Sequence, residues 1–149
     1  MTSDAALVRC PNCGKQNRVR PAASGVPHCG NCGAILPWLT ESGEGDFGAV
    51  VEQSSIPVLV DFWAPWCGPC RIVSPTVEKI GQDMPGRLKV VKVNTDDAPH
   101  LTQRFGIRGI PTLVIFDHGK ETARITGAMP GPALRIWVDN HLPAATSRA

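Results

Sequence analysis

The sequence predicts an α/β sandwich with a mixed central sheet, preceded by a small cysteine-rich ribbon. Three observations carry this. Strand-like and helix-like apolar patterns alternate from Pro37 onward, residues 1–36 have too few apolar residues for a core, and all six cysteines fall in Cys-x-x-Cys pairs. A β-α-β unit followed by a hairpin and a closing helix packs as helices on both faces of one sheet.

The elements read in order as follows. Pro37-Trp38-Leu39-Thr40 is a short edge strand. Asp46 reads as the N-cap of a helix whose apolar residues are Phe47, Val50 and Val51. Pro57 to Ala64 is a near-continuous run of β-branched and aromatic residues, the pattern of a strand buried on both faces. A helix from Cys67 to Met84 has Ile72, Val73, Val77 and Ile80 at helical spacing, with Pro75 inside it as a kink. Arg87 to Asn94 is a second buried strand, and Ala98 to Gly106 a short helix. Thr112 to Gly127 reads as a hairpin turning at Asp117-His118-Gly119. The last helix, from Gly131, should turn Leu134, Ile136, Trp137 and Leu142 inward.

With 149 residues, 42% apolar and 19% charged, the chain suits a small domain joined to a modest one. A net charge of +2 is too weak to make nucleic acid or an anionic membrane the main partner. No basic stretch followed by an apolar one opens the chain, and no apolar run approaches the roughly 20 residues a membrane span needs. The expectation is a cytoplasmic monomer. Cysteines used only as close pairs, in such a compartment, point to metal binding or redox chemistry rather than a disulfide framework.

Residues 1–36 carry a net +3 and few large apolar side chains, so they need a staple to fold. Cys10-Pro11-Asn12-Cys13-Gly14 and Cys29-Gly30-Asn31-Cys32-Gly33 repeat the pattern C-x-N-C-G, with fifteen residues between the pairs. That is the spacing of a four-cysteine zinc site, one structural ion held by Cys10, Cys13, Cys29 and Cys32 with no open coordination position. The other reading of these four is a pair of redox dithiols or one disulfide set. His28 is not expected to be a ligand.

The third pair, Cys67-Gly68-Pro69-Cys70, lies where a buried strand gives way to a helix. Cys67 at the helix N-terminus meets unpaired N–H groups and the positive end of the macrodipole, which favour a thiolate. Pro69 suits the first turn, where no N–H is needed. Cys67 therefore attacks a substrate disulfide, and Cys70 resolves the mixed disulfide. Asp61, in the middle of a buried strand, should have a raised pKa and take the Cys70 proton directly or through a water.

These stretches resemble the thioredoxin family in order and spacing: Val60–Cys70 (VDFWAPWCGPC), Val90–Asp97 (VVKVNTDD), Phe105–Phe116 (FGIRGIPTLVIF) and Ile125–Ala128 (ITGA). The likeness covers roughly residues 37–142, and the preceding ribbon is similar to that of the thioredoxin-2 type of bacteria. The resemblance implies a thioredoxin-like three-layer sandwich over 37–149 behind a zinc ribbon over 1–36. It implies a cis bond at Ile110-Pro111, and a shallow groove for substrate formed by Trp66, Gly68, Pro69, Gly109, Ile110, Pro111, Gly127 and Ala128. Lys92 matches a family lysine near the buried carboxyl. The implied activity is reduction of protein disulfides, with electrons from NADPH through a separate thioredoxin reductase, since the chain has no dinucleotide-binding glycine motif. The rival from another class is a zinc-ribbon redox sensor or partner-binding module whose larger domain is mainly a surface.

Overall fold

The computed structural model of the chain describes residues 6–23 and 25–143. The outer ends of the two expected domains, residues 1–5 and 144–149, lie outside the described residues.

Five strands form the central sheet: β3 (Trp38–Glu41), β4 (Val58–Trp63), β5 (Lys89–Asn94), β6 (Thr112–Asp117) and β7 (Lys120–Thr126). Their spatial order is β3-β5-β4-β6-β7, with β3, β5 and β4 mutually parallel and β6 and β7 antiparallel, so the sheet is mixed as predicted. β6 and β7 are joined by the two-residue turn His118-Gly119, with φ of 52° and 81°, the left-handed pair that a tight hairpin requires.

Alternation along β4 divides the core. Val58, Val60 and Phe62 pack with Phe47, Val50, Leu101 and Phe116 on one face, toward α2 (Pro99–Arg104) and the helical turn Gly48–Glu52. Leu59 packs on the other with Val73, Val77, Leu134 and Val138, from α1 (Gly68–Asp83) and α3 (Gly131–His141). Three layers result. Gly81 lets α1 close on the sheet, since a Cβ there would stand 2.9 Å from Val90 Cγ2.

Three local expectations are corrected. Ile72 and Ile136 are not core residues; they are 70% and 60% exposed. At 100° per residue Ile136 lies about 200° from Leu134, whereas Val138 lies about 40° away and takes the buried place. Asp46 stands just before the helical turn and takes the Val50 N–H on its backbone carbonyl, but its carboxylate turns back into the preceding loop. Its carboxylate accepts from the Ser42 hydroxyl (2.8 Å) and the Gly43 N–H (2.9 Å), closing the preceding loop. The Gly48–Glu52 turn is wide, with Gln53 N–H donating to the Gly48 carbonyl five residues back.

The ribbon is a β-hairpin of β1 (Ala6–Arg9) and β2 (Gln16–Val19), followed by a second knuckle at Cys29–Gly33. Its core is shared. Cys10, Val19, Cys29 and Leu36 form one cluster with Trp38 at the start of β3. Lys89, at the start of β5, is 1% exposed, with Nζ donating to the carbonyls of Pro21 (2.5 Å) and Val50 (2.6 Å) and lying 4.0 Å from the Trp38 ring centre. Burial pulls its pKa down to about 8. Ile35 packs 3.3 Å from the Cβ position of Gly86, and the Ser55 hydroxyl donates to the Gly25 carbonyl. Every one of these contacts is at the N-terminal ends of β3, β4 and β5.

Candidate active site and metal centre

Cys67 ends the loop after β4 and caps α1. Its φ and ψ of −88° and 110° are extended, and its sulfur accepts from the Cys70 N–H at 3.2 Å. Gly68 opens the helix, and Pro69 in its first turn wastes no backbone donor. The two sulfurs are joined in a disulfide across a Cα separation of 5.3 Å. Both cysteines are 3% exposed, so burial does not distinguish them; Cys67 is the cap of α1 and Cys70 lies inside its first turn.

Around the disulfide the expected groove residues come together. The Ile110-Pro111 bond is cis, and the Ile110 carbonyl lies 3.6 Å from the Cys67 sulfur. Gly127 N–H donates to the Pro111 carbonyl at 2.8 Å, tying the start of β6 to the end of β7. The Thr112 hydroxyl donates to the Gly109 carbonyl at 2.5 Å. Trp66 is 70% exposed, and its indole N–H donates to Asp96 at 3.1 Å, which fixes an apolar plate beside the dithiol. Ala128 is exposed at the rim.

Asp61 is 1% exposed, on the same face of β4 as Leu59, which packs against α1. Burial raises its pKa to about 6, against a lowering by Lys92 and with a small further rise from Glu78. Lys92, directly opposite Asp61 in β5, bonds to Ser74 and Glu78 instead of to the carboxyl. Neither Ser74 nor Glu78 drew notice in the sequence. Their positions four and eight residues after Cys70 were the available signal, since that spacing repeats one helix face.

At the other end of the molecule the sulfurs of Cys10, Cys13, Cys29 and Cys32 all lie within 4.8 Å of one another. Cys10–Cys32 and Cys13–Cys29 are each 3.6 Å apart. A tetrahedron with metal–sulfur bonds of about 2.3 Å has edges of about 3.8 Å, so the four thiolates fit such an ion. His28 is not among them.

The C-x-N-C-G repeat now has a physical account. Gly14 and Gly33, both at φ 80°, donate back to the carbonyls of Cys10 and Cys29 at 2.9 Å and close each knuckle. The asparagines reach across: Asn12 Nδ2 donates to Cys32 Sγ at 3.4 Å and Asn31 Nδ2 to Cys13 Sγ at 3.5 Å. Backbone N–H groups, that of Cys32 foremost and then Asn31, together with the Asn17 amide, pull the Cys29 thiol down to about 6. The Cys32 thiol is lowered as well, by the Asn12 side chain foremost, whereas that of Cys10 is raised.

A cysteine pair opening a helix beside a cis-proline, with a buried carboxyl in the strand before it, defines a thiol–disulfide oxidoreductase that reduces protein disulfides. Comparison with known proteins agrees. Residues 39–140 match the family model described as Thioredoxin. The chain is 52% identical to "Thioredoxin 1" of Synechococcus elongatus over 99 residues, covering 66% of this chain and 92% of that protein. It is 49% identical to "Thioredoxin M-type, chloroplastic" of Chlamydomonas reinhardtii (64% and 69% covered), and 36% identical to "Thioredoxin M4, chloroplastic" of Arabidopsis thaliana (95% and 74% covered). The chain belongs to the thioredoxin family.

Proposed function

We propose that the chain reduces protein disulfides through the Trp66-Cys67-Gly68-Pro69-Cys70 motif, with Cys67 as nucleophile and Cys70 as resolving thiol. The Cys67 thiolate attacks one substrate sulfur, and the other leaves as a thiolate that takes up a proton. Cys70 gives its proton to Asp61, attacks the Cys67 sulfur and frees the second substrate sulfur, so that two electrons pass from the dithiol to the substrate. Trp66, Gly109, Ile110, Pro111 and Gly127 hold the substrate as an extended segment against the free backbone of Ile110. An NADPH-dependent thioredoxin reductase restores the dithiol.

The observation that carries this reading is the Cys67–Cys70 disulfide at the start of α1, against the cis Ile110-Pro111 bond. Insulin reduction with dithiothreitol tests it. Cys67→Ser should abolish turnover, and Cys70→Ser should accumulate a mixed disulfide on a non-reducing gel. An unaltered rate in Cys67→Ser would refute it. Oxidation of NADPH by added thioredoxin reductase and this chain tests the electron source.

Residues 1–36 form a zinc ribbon and 37–149 the thioredoxin domain, with Cys10, Cys13, Cys29 and Cys32 as ligands. The ion would supply cross-linking of the four thiolates and hence folding free energy. One zinc per chain by atomic absorption is expected; its absence from protein purified under reduction would sink the assignment. Among the described residues no helix is long and apolar enough to cross a membrane. The four unbridged cysteines of the ribbon suit a reducing compartment, and the cytoplasm is our reading. The rival role, a ribbon that senses oxidant and gates the dithiol, is not adopted, because the two centres sit at opposite ends of β4 and share no wall.

A further inference from the structure

A buried carboxyl with a lysine directly opposite on the next strand would ordinarily form an ion pair, and here it does not. Asp61 and Lys92 are register partners in the parallel strands β4 and β5. Yet Asp61 Oδ1 is buried with no hydrogen-bond partner among the described residues. The Lys92 ammonium points to α1 instead, 2.6 Å from Ser74 Oγ and 3.3 Å from Glu78 Oε2. The Ser74 hydroxyl donates to the same Glu78 oxygen at 3.1 Å, which closes a triangle. Ser74 and Glu78 follow Cys70 by one and two helical turns on one face of α1. Ser74 and Lys92 line a cavity of about 90 Å³ together with Trp63 and Cys70 among others.

We propose that Ser74 and Glu78 are positioning residues for the dithiol reaction: by holding the Lys92 ammonium on the α1 wall of this cavity, they keep it from pairing with Asp61 and leave that carboxyl free to take the Cys70 proton. The inference rests on the reading of Asp61 as proton acceptor. In the step concerned, the Cys70 S–H bond breaks, its proton goes to an Asp61 oxygen, and the Cys70 electron pair forms the new bond to Cys67 sulfur. The Cys67–substrate bond breaks, and the substrate leaves as the reduced thiolate.

The charges around Asp61 make the tether matter. Lys92 acts on it from β5 and Glu78 from α1, Cys70 lines the same cavity as Lys92, and Arg71, also in that lining, is engaged with the Pro65 carbonyl at 2.9 Å. β6 offers only Leu113 opposite, and α3 packs on this face with Leu134 and Val138. Among the described residues Lys92 is thus the cation that acts on the carboxyl. A contact ion pair depresses a carboxyl by about 1–3 pH units and would leave Asp61 too weak a base for a thiol. Held by Glu78 and Ser74, the ammonium acts at longer range, and burial keeps the upper hand.

The test uses the oxidised full-length chain with its metal. The Asp61 carboxyl is followed by carbon NMR against pH, and insulin reduction by the reduced chain is followed over the same range. In Glu78→Gln the Asp61 midpoint should fall by about one unit, and in Ser74→Ala by a smaller amount in the same direction. Ser74→Thr, which keeps the hydroxyl, should stay with the parent chain. In a Lys92→Met background, Ser74→Ala should move the midpoint no further, because the tethered cation is gone. An unmoved midpoint in both Glu78→Gln and Ser74→Ala overturns the tether, as does an equal Ser74→Ala shift with and without Lys92. Asp61→Asn separates the two ideas. If the acid limb of the rate profile survives in it, the proton-acceptor reading fails and the catalytic role of the tether falls with it. If the limb is lost while the midpoints stay put, only the tether fails.

Discussion

Replacing Asp61 by Asn should stabilise the protein progressively as pH rises, because burial holds the folded carboxyl near 6 against an ordinary 3.8. Between those values the folded state binds more protons than the unfolded one, so stability falls as pH increases and the full penalty is present above the folded pKa. The gap of roughly 2 units corresponds to about 3 kcal/mol at neutral pH, of which about half develops between pH 5 and 8. Asp61 is 1% exposed, so solvent screening takes little from this figure. An asparagine amide has its own unpaired atoms to bury, and that cost shifts the variant by a constant that does not depend on pH. The slope is therefore the informative quantity. Urea unfolding of the oxidised, metal-bound forms of both proteins across this range measures it. The stability of Asp61→Asn minus that of the parent should climb by about 1–2 kcal/mol between pH 5 and 8. A flat difference would mean the carboxyl is ordinary in the fold, and the reasoning from its burial would be refuted.

Other expectations follow from the same geometry. Stripping the metal should open the cluster around Cys10, Cys29 and Trp38, shifting tryptophan emission to the red and lowering the melting temperature. Since β4 spans six residues, or about 20 Å, between the ribbon and the dithiol, the insulin-reduction rate should stay within about twofold of the loaded protein at 25 °C. Lys89→Met leaves the Pro21 and Val50 carbonyls without their shared donor and should cost about 1–3 kcal/mol in urea unfolding. In the parent chain Lys89 is pulled from 10.5 to about 8, so the folded state holds fewer protons than the unfolded across that interval, and stability from this group should rise with pH there. The variant should lack that rise. Gly81→Ala places a methyl 2.9 Å from Val90 and should destabilise by about 1–3 kcal/mol with little effect on the dithiol, by denaturant midpoint and insulin assay.

What was legible in the sequence was whatever depends on neighbours along the chain. The buried runs of β4, β5 and β6, the turn at His118-Gly119 and the helix opening at Cys67 are all local patterns, and each is present where it was expected. Errors arose where angular position or loop chemistry decided. Ile72 and Ile136 are apolar and close to buried residues in sequence, but both lie on the wrong arc of their helices. Asp46 precedes a helical pattern, yet its carboxylate finds Ser42 and Gly43 first. Lys89 and Lys92 could not be placed without strand register. Three residues apart, they fall on opposite faces of β5, and only the pairing of the sheet brings one to the ribbon and the other to Asp61.

The three Cys-x-x-Cys pairs also show what the motif does and does not specify. In the ribbon and in the active site the first sulfur accepts from an N–H in the following turn: Cys13 N to Cys10 at 3.5 Å, Asn31 N to Cys29 at 3.4 Å, Cys70 N to Cys67 at 3.2 Å. What differs is the continuation. After Cys13 and Cys32 a left-handed glycine ends the turn, and the two knuckles face each other with cross-bonded asparagines, so four thiolates converge. After Cys70 the chain runs on through α1 to Asp83, no second pair approaches, and the two sulfurs have only each other and a substrate to bond. Thiolates near a disulfide exchange with it, and four of them beside Cys67 would compete with the substrate for its sulfur. Packing the ribbon at the N-terminal ends of the strands, a full strand length from the dithiol, keeps the four clustered ribbon cysteines out of that exchange.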